Sequence, residues 1–179
     1  MKIDFHVHSI ESQDGTASLC HIAKAAASAG LDGVFICDHN KQSLKEPVFM
    51  EGVWLLPGCE VSAEREHILA LLCEKDLPPG ILSGETLPSS ADVISEIHGC
   101  GGIAVIAHPY AHGQKDSWKY EDMGAEPDCI ECANARAWMK DPDANRKAEA
   151  AADKYSRVKT GGSDAHLTDE IGHAYTELD

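Results

Sequence analysis

Short apolar runs alternate along the chain with Ala-rich stretches of helical spacing. Lys2 to Val7 predicts a strand, and Ser18 to Ala29 a helix with Gly30 as its C-terminal stop. Gly33 to Cys37 predicts a buried strand. Val53 to Leu56 predicts another that ends at Pro57-Gly58, and His67 to Leu72 forms a third apolar run. A loop rich in Pro, Gly and Ser spans Lys75 to Ser90. A helix over Ala91 to His98 and a strand over Ile103 to Ala107 follow. Ala111 to Glu126 is polar and carries no clear period. Asp128 to Ala133 predicts a strand, Asp143 to Tyr155 a helix, and Val158 to Gly161 a last short strand.

Strands separated by helices point to βα units and a mostly parallel sheet, closed as a barrel or wound as an open layer. A length of 179 residues suits one domain, 1–179, with one core. No run approaches the roughly 18 apolar residues of a membrane span, and no apolar signal region precedes His6. A cytoplasmic protein without a membrane partner is therefore expected. The sequence sets no oligomeric state.

The net charge of -15 shows no basic stripe of the kind that neutralises phosphates, so long nucleic acid is not expected as a partner. The chain has 7 cysteines, an odd count without a framework, which suggests reduced and mostly buried thiols. Cys129 and Cys132 form a C-x-x-C within a predicted strand. Residues three apart on a strand face opposite sides, so a shared metal there is not expected.

The chemistry lies at the strand ends. Strand one ends in His6-Val7-His8. Alternation places Ile3, Phe5 and Val7 on one face and Asp4, His6 and His8 on the other. A lone H-x-H says little, but polar ligand types recur: Cys37-Asp38-His39-Asn40, Cys59-Glu60, His67, His108-Pro109 and Asp164-Ala165-His166. In barrels and open α/β sheets, sites assemble at the C-terminal ends of strands. Mixed nitrogen and carboxylate ligands suit Zn, Mn or Fe better than Mg or Ca.

These motifs resemble the PHP family, named for polymerase-associated and histidinol-phosphatase domains. Asp4-Phe5-His6-Val7-His8, Cys37-Asp38-His39-Asn40, Pro57-Gly58-Cys59-Glu60 with His67, Ala107-His108-Pro109 and Gly162-Ser163-Asp164-Ala165-His166 stand in the family's order. The segments Glu131 to Arg136 and Ile171 to Tyr175 are similar to the C-terminal part of small stand-alone PHP phosphoesterases. The resemblance implies an α/β fold: a short, distorted barrel of about seven βα units, with the metal site at the C-terminal strand ends. It implies two to three divalent ions. His6, His8, Glu60 and Asp164 would hold the first. Glu60 would bridge to a second held by His67 and His108. Asp14, His39 and His166 would hold the third, with Asp14 standing where many relatives carry His. Glu60, Asp164 and His166 would carry the catalysis, and Asp4 and Asp38 would orient imidazoles.

Clustered dications make hydroxide available near neutral pH, which suits hydrolysis of a small phosphate ester, a monoester or nucleotide. Arg65 and Arg136 are the candidate contacts to its phosphate, because a guanidinium forks onto oxyanions. Trp118, Tyr120 and Trp138 could wall a pocket or serve the core. A phosphodiesterase or exonuclease on short nucleotides is an alternative reading, as is a metal-binding regulatory module without turnover. An amidohydrolase is disfavoured, because Glu60 rather than a Lys takes the bridging place.

Overall fold

The computed structural model describes residues 1–83, 86–111 and 118–179. Their elements are, in order, β1 (Lys2–Val7), α1 (Leu19–Ser28), β2 (Gly33–Ile36), β3 (Val48–Met50), β4 (Val53–Ser62), β5 (His67–Leu71), α2 (Pro79–Leu82), α3 (Ser90–Gly99), β6 (Ile103–Ala107), β7 (Cys129–Asn134), α4 (Ala135–Lys140), α5 (Pro142–Tyr155), β8 (Val158–Gly162) and β9 (Thr176–Glu177). Among the described residues the sheet has 9 strands in the order β8-β7-β6-β5-β4-β2-β1-β9, with β3 against β4. It curls into a nearly closed barrel. The segment after β8 returns to β1, where Asp164 N donates to His6 O and His8 N to Ala165 O, both at 2.8 Å.

Helix ends follow local chemistry. Gly30 takes φ +72 after α1, as a C-terminal stop requires. Ser89 Oγ accepts from Asp92 N at the start of α3. Asp141 caps α5, and Pro142 fills its first turn, where no N–H is missed. Ile22, Ala23 and Ala26 of α1 pack outside the barrel on Val34, Ile36 and Leu55. Val93, Ile94 and Ile97 of α3 and Ala148, Ala151 and Ala152 of α5 pack on Ile68, Ile106 and Ile130. The alanines let α5 lie close to the sheet.

Three expectations change. The strand expected to stop at Pro57-Gly58 runs on to Ser62. Pro57 and Gly58 mark a change of partner instead: β4 pairs with β2 through Pro57 and with β5 from Gly58. Secondly, the sheet is less parallel than expected, because β5 runs antiparallel to both neighbours. A short hairpin joins β4 to β5, with Ala63 N donating to Glu66 O at 2.9 Å, and so short a link cannot make the crossover that parallel pairing needs. Thirdly, the alternation along β1 breaks. Asp4 pairs with Val34 but Val7 with Ile36, so β1 carries one extra residue. Below this bulge, Ile3 and Phe5 fill the barrel interior with Phe35, Leu69, Leu71 and Val105. Above it, Val7 packs outside against α1, and the interior side passes to His6 and His8.

Within the described part of the unperiodic stretch, a 3-10 turn forms at Tyr120–Asp122, and 112–117, with His112, lie outside the described residues. Cys129 packs inside the barrel and Cys132 outside, so the C-x-x-C faces two ways as its spacing implies. No described helix is long and apolar enough to cross a membrane.

Candidate metal centre

The interior changes from apolar to polar towards the C-terminal end of the parallel strands. Because β5 runs the other way, its first residue, His67, lies at that same end, opposite Ser62 of β4 and Ala107 of β6. His6 and His8 arrive from β1, Glu60 from β4, His108 from the end of β6, and Asp164 and His166 from the turn after β8. His108 and Asp164 hold left-handed backbone, φ +30 and +57, which a side chain disfavours. Such strain persists where the surroundings over-determine it, commonly at functional sites.

Glu60 is the hub and is 1% exposed. Its Oε1 lies 2.8 Å from His67 Nδ1 and 3.1 Å from His108 Nε2. Its Oε2 lies 3.3 Å from Nε2 of both His6 and His8 and 3.1 Å from His39 Nδ1, yet makes no hydrogen bond among the described residues. Asp164 Oδ1 is 3.4 Å from His8 Nε2 and 3.8 Å from His6 Nε2. Asp14 Oδ2 is 3.0 Å from His166 Nε2 and 3.6 Å from His39 Nε2. Ligand atoms lie within 4.8 Å of one another in four overlapping groups: His8, Asp14, His39, His166; His6, His8, Asp164; His6, Glu60, His108; and His39, Glu60, His67. Each residue expected to bind metal falls into at least one of them.

The electrostatics favour positive charge at the centre. Burial opposes a proton on His6, but Glu60, Glu131 and Asp164 outweigh it and raise its pKa well above the usual value. Burial likewise works against charge on His8, and the nearby carboxylates of Asp164 and Glu60 push it up to about 9. Burial would raise Glu60 and Asp164, but the imidazoles around them lower both. For Asp14, burial is outweighed by His166 and His39, and its pKa falls. Burial, reinforced by His8 and His67, lowers that of His39 despite Glu60. The same field that favours protons favours a divalent cation in their place. A buried carboxylate oxygen without a hydrogen bond, ringed by imidazole nitrogens, fits bridging of such ions.

The supports of the ligands differ from those expected. Asp38 takes the N–H and hydroxyl of Ser9 at 2.6 and 2.7 Å, not an imidazole. Asp4 accepts from Ser163 N, His6 N and Gly172 N, and burial raises its pKa to about 6. Both therefore hold backbone in place. The imidazoles lean on two residues that received no role from the sequence. Glu131, fully buried in β7, meets His6 Nδ1 at 3.2 Å and accepts from His108 N and Asn134 Nδ2, both at 2.9 Å. Ser12 Oγ lies 3.2 Å from His8 Nδ1 and accepts from His39 N at 2.9 Å. A carboxylate in the middle of the apolar run Asp128 to Ala133 was the visible signal for Glu131; Ser12 had none. The loop carrying Ser12 and Asp14 is tightly folded: a Cβ at Gly15 would lie 1.9 Å from Ser9 O. Gly162 is equally constrained, because a Cβ there would lie 2.6 Å from that of His6.

A cavity of about 330 Å³ opens on the cluster, lined by Asp14, His39, Glu60, His67, His108, Arg136, Lys140, Asp164 and His166. A larger groove of about 970 Å³ shares Asp14, His39 and His67 and runs past Gln13, Asn40 and Ser62 to Leu82. Arg136 thus reaches the site. Arg65 is not among the lining residues of either space; it is exposed and pairs with Asp122 at 2.8 Å. Trp118, Tyr120 and Trp138 line neither space. Trp118 is buried in the core, Tyr120 stacks on Tyr155 at 4.0 Å, and Trp138 is exposed.

Residues 142–179, which include Asp164 and His166, match the PHP-associated family model. The uncharacterized protein MJ0417 of Methanocaldococcus jannaschii is 26% identical over 99% of this chain and 70% of its own length. Among solved structures, a provisionally named metal-dependent phosphoesterase of Bifidobacterium adolescentis superposes with a TM-score of 0.77. It is 19% identical, over 98% of this chain and 92% of that one. The lesion-specific endonuclease EndoQ of Pyrococcus furiosus gives a TM-score of 0.68 at 17% identity, over 94% of this chain and 49% of that one. An Endonuclease Q has also been solved with a 27-mer duplex carrying an abasic lesion at the active site, with a TM-score of 0.63 to this chain. The expected exclusion of long nucleic acid therefore does not stand. Net charge sums the whole surface and says little about the local field at one end of a barrel. The ordered strand-end motifs and the matched C-terminal segment are similar to the PHP family, and the barrel has the fold of the solved metal-dependent phosphoesterase structure.

Proposed function

We propose that residues 1–179 act as one catalytic domain, a metal-dependent phosphoesterase that hydrolyses phosphate esters. The observation that carries this reading is Glu60 Oε2, a buried carboxylate oxygen with three imidazole nitrogens at 3.1–3.3 Å and no hydrogen bond among the described residues. His6, His8 and Asp164 would hold one divalent ion, His67 and His108 a second bridged through Glu60, and Asp14, His39 and His166 a third. Bound dications supply Lewis acidity toward phosphoryl oxygens and make hydroxide available near neutral pH.

The chain's own residues do the rest. Glu131 and Ser12 fix ring orientation, which keeps Nε2 of His6 and His8 aimed inward. Arg136 and Lys140 stand one turn apart on α4, a spacing that shares a helix face, and set positive charge on the cavity wall. In a chain of net charge -15 that placement favours an anionic substrate where the rest of the surface repels one.

A second reading is a nuclease. The groove of about 970 Å³ leaving the cluster past Asn40 and Ser62 has room for a substrate with a large group on each side of the phosphate, and Endonuclease Q has a related fold. One experiment separates these readings. The purified protein is analysed for bound metal and assayed with Mn and Zn against p-nitrophenyl phosphate, bis(p-nitrophenyl) phosphate, nucleotides and oligonucleotide duplexes. Turnover of the monoester and nucleotides supports the first reading, and turnover of the diester and duplex the second. Fewer than two metals bound with no turnover on any substrate overturns both.

A further inference from the structure

The turn that delivers Asp164 and His166 is held by two residues in contact with each other, Arg136 on the cavity wall and Glu170 behind it. Arg136 Nε donates to Asp164 O at 3.0 Å, and its Nη2 reaches Glu170 Oε2 at 2.9 Å and Oε1 at 3.2 Å. Glu170 Oε2 also accepts His166 N at 2.8 Å and Leu167 N at 3.1 Å. One carboxylate thus gathers two backbone N–H groups and a guanidinium, while that guanidinium gathers the carbonyl of a residue in left-handed backbone. Neither Nε nor Nη2 of Arg136 is presented to the cavity without a protein partner. Glu170 does not line the cavity.

We infer that Arg136 and Glu170 form a positioning pair that sets Asp164 and His166 at once, so that Glu170 governs metal binding without touching metal or substrate. The inference rests on the metal reading above. Asp164 belongs with His6 and His8, and His166 with Asp14 and His39. The pair therefore couples two ligand groups that already meet through the shared His8 and through His166 Nδ1, 2.9 Å from Asp164 O. Glu170 is 20% exposed and its guanidinium partner 25%, so both ends are partly shielded from water. A bidentate guanidinium–carboxylate contact is directional as well as attractive. Lysine would keep the charge of Arg136 but could not grip a carbonyl and a carboxylate together.

The test is metal titration of the purified protein with Zn or Mn, by elemental analysis after dialysis at graded free metal. Wild type is compared with Glu170→Gln, Glu170→Asp, Arg136→Lys and, as a control on the same turn, Asp169→Asn. Glu170→Gln and Arg136→Lys are expected to weaken metal binding by about 10- to 100-fold, with the Asp14, His39 and His166 group emptying first. Glu170→Asp should restore part of the loss, and Asp169→Asn should match wild type. At saturating metal the KM for p-nitrophenyl phosphate should stay near wild type in Glu170→Gln, because Glu170 does not line the cavity. Circular dichroism at saturating metal checks that each variant is folded; a misfolded Glu170→Gln leaves Glu170→Asp and Arg136→Lys to decide. A raised KM with unchanged metal affinity in Arg136→Lys would return Arg136 to substrate binding and overturn the inference. Unchanged metal affinity in the folded Glu170 variants would overturn it too, with the metal reading intact. Failure of wild type to bind metal would sink the metal reading itself, and this inference with it.

Discussion

His6 and His8, two residues apart on β1, bring their Nε2 atoms within 3.1 Å of each other. Two lone pairs cannot face each other at that distance without a cation or proton between them. Holding the rings there costs free energy that a bound ion offsets. Removing metal should therefore loosen the barrel end. An ion present at 100 times its Kd stabilises by about 2.7 kcal/mol, and a domain of this size shifts by roughly 2–4 °C per kcal/mol. Dialysis against a chelator is expected to lower Tm by about 5–10 °C, reversed by adding Zn or Mn. Differential scanning calorimetry reads this directly, and an unchanged Tm would argue against a site held together by metal.

Glu60 and Asp14 should behave differently. Glu60 is buried and meets imidazoles on both oxygens, so Glu60→Gln removes charge where nothing can replace it, and activity should fall to the background rate. The Asp14 side chain is 53% exposed and reaches the cluster through Oδ2 alone. Asp14→Ala should cost less and recover in excess metal, because water can take the vacated place. Activity measured across a metal titration distinguishes the two. Equal and irreversible losses would mean that Asp14 is as central as Glu60.

Glu131 is expected to act through His6. Glu131→Gln keeps the shape but weakens the pull on Nδ1–H, so metal affinity should drop by about 10- to 100-fold. The N–H of His108 and the amide of Asn134, which share Glu131 Oε2, should shift their resonances with it. NMR of the variant with metal bound would test this. Wild-type affinity with unshifted His108 and Asn134 amides would remove Glu131 from the site.

Arg65→Ala should leave KM and kcat near wild type. The Arg65 side chain is 57% exposed, and exposed ion pairs such as its contact with Asp122 contribute about 0–1 kcal/mol. A several-fold rise in KM in steady-state kinetics would show that Arg65 swings to the substrate.

The clustering of His, Asp and Glu at one end of the barrel was legible because chemistry at strand ends repeats. Glu60, His108 and Asp164 each follow an apolar run, and that repetition survives ignorance of the topology. Direction was not legible. His67 opens an apolar run that reads the same in either sense, and only the short link from Ser62 makes β5 antiparallel. Support residues were misassigned where neighbours in sequence were taken as neighbours in space. Asp38 beside His39 points to the opposite side, as adjacent residues on extended chain do, and meets Ser9 instead. Asp4 should have shared a face with His6, but the bulge between them ended the alternation. Hydrophobic periodicity records burial, and one extra residue changes which side is buried without changing the pattern.

The bulge in β1 also limits what mutation can do to this strand. Ile3 and Phe5 help fill the barrel's apolar interior, and His6 and His8 furnish its polar end, so one register serves both. A slip by a single residue would drive imidazoles into the packed layer and leave Phe5 among carboxylates. Losing the fold and losing the polar cluster are then one event. Along β1, selection for solubility and selection for metal chemistry bear on the same alignment, and the strand can drift in side chains but not in phase.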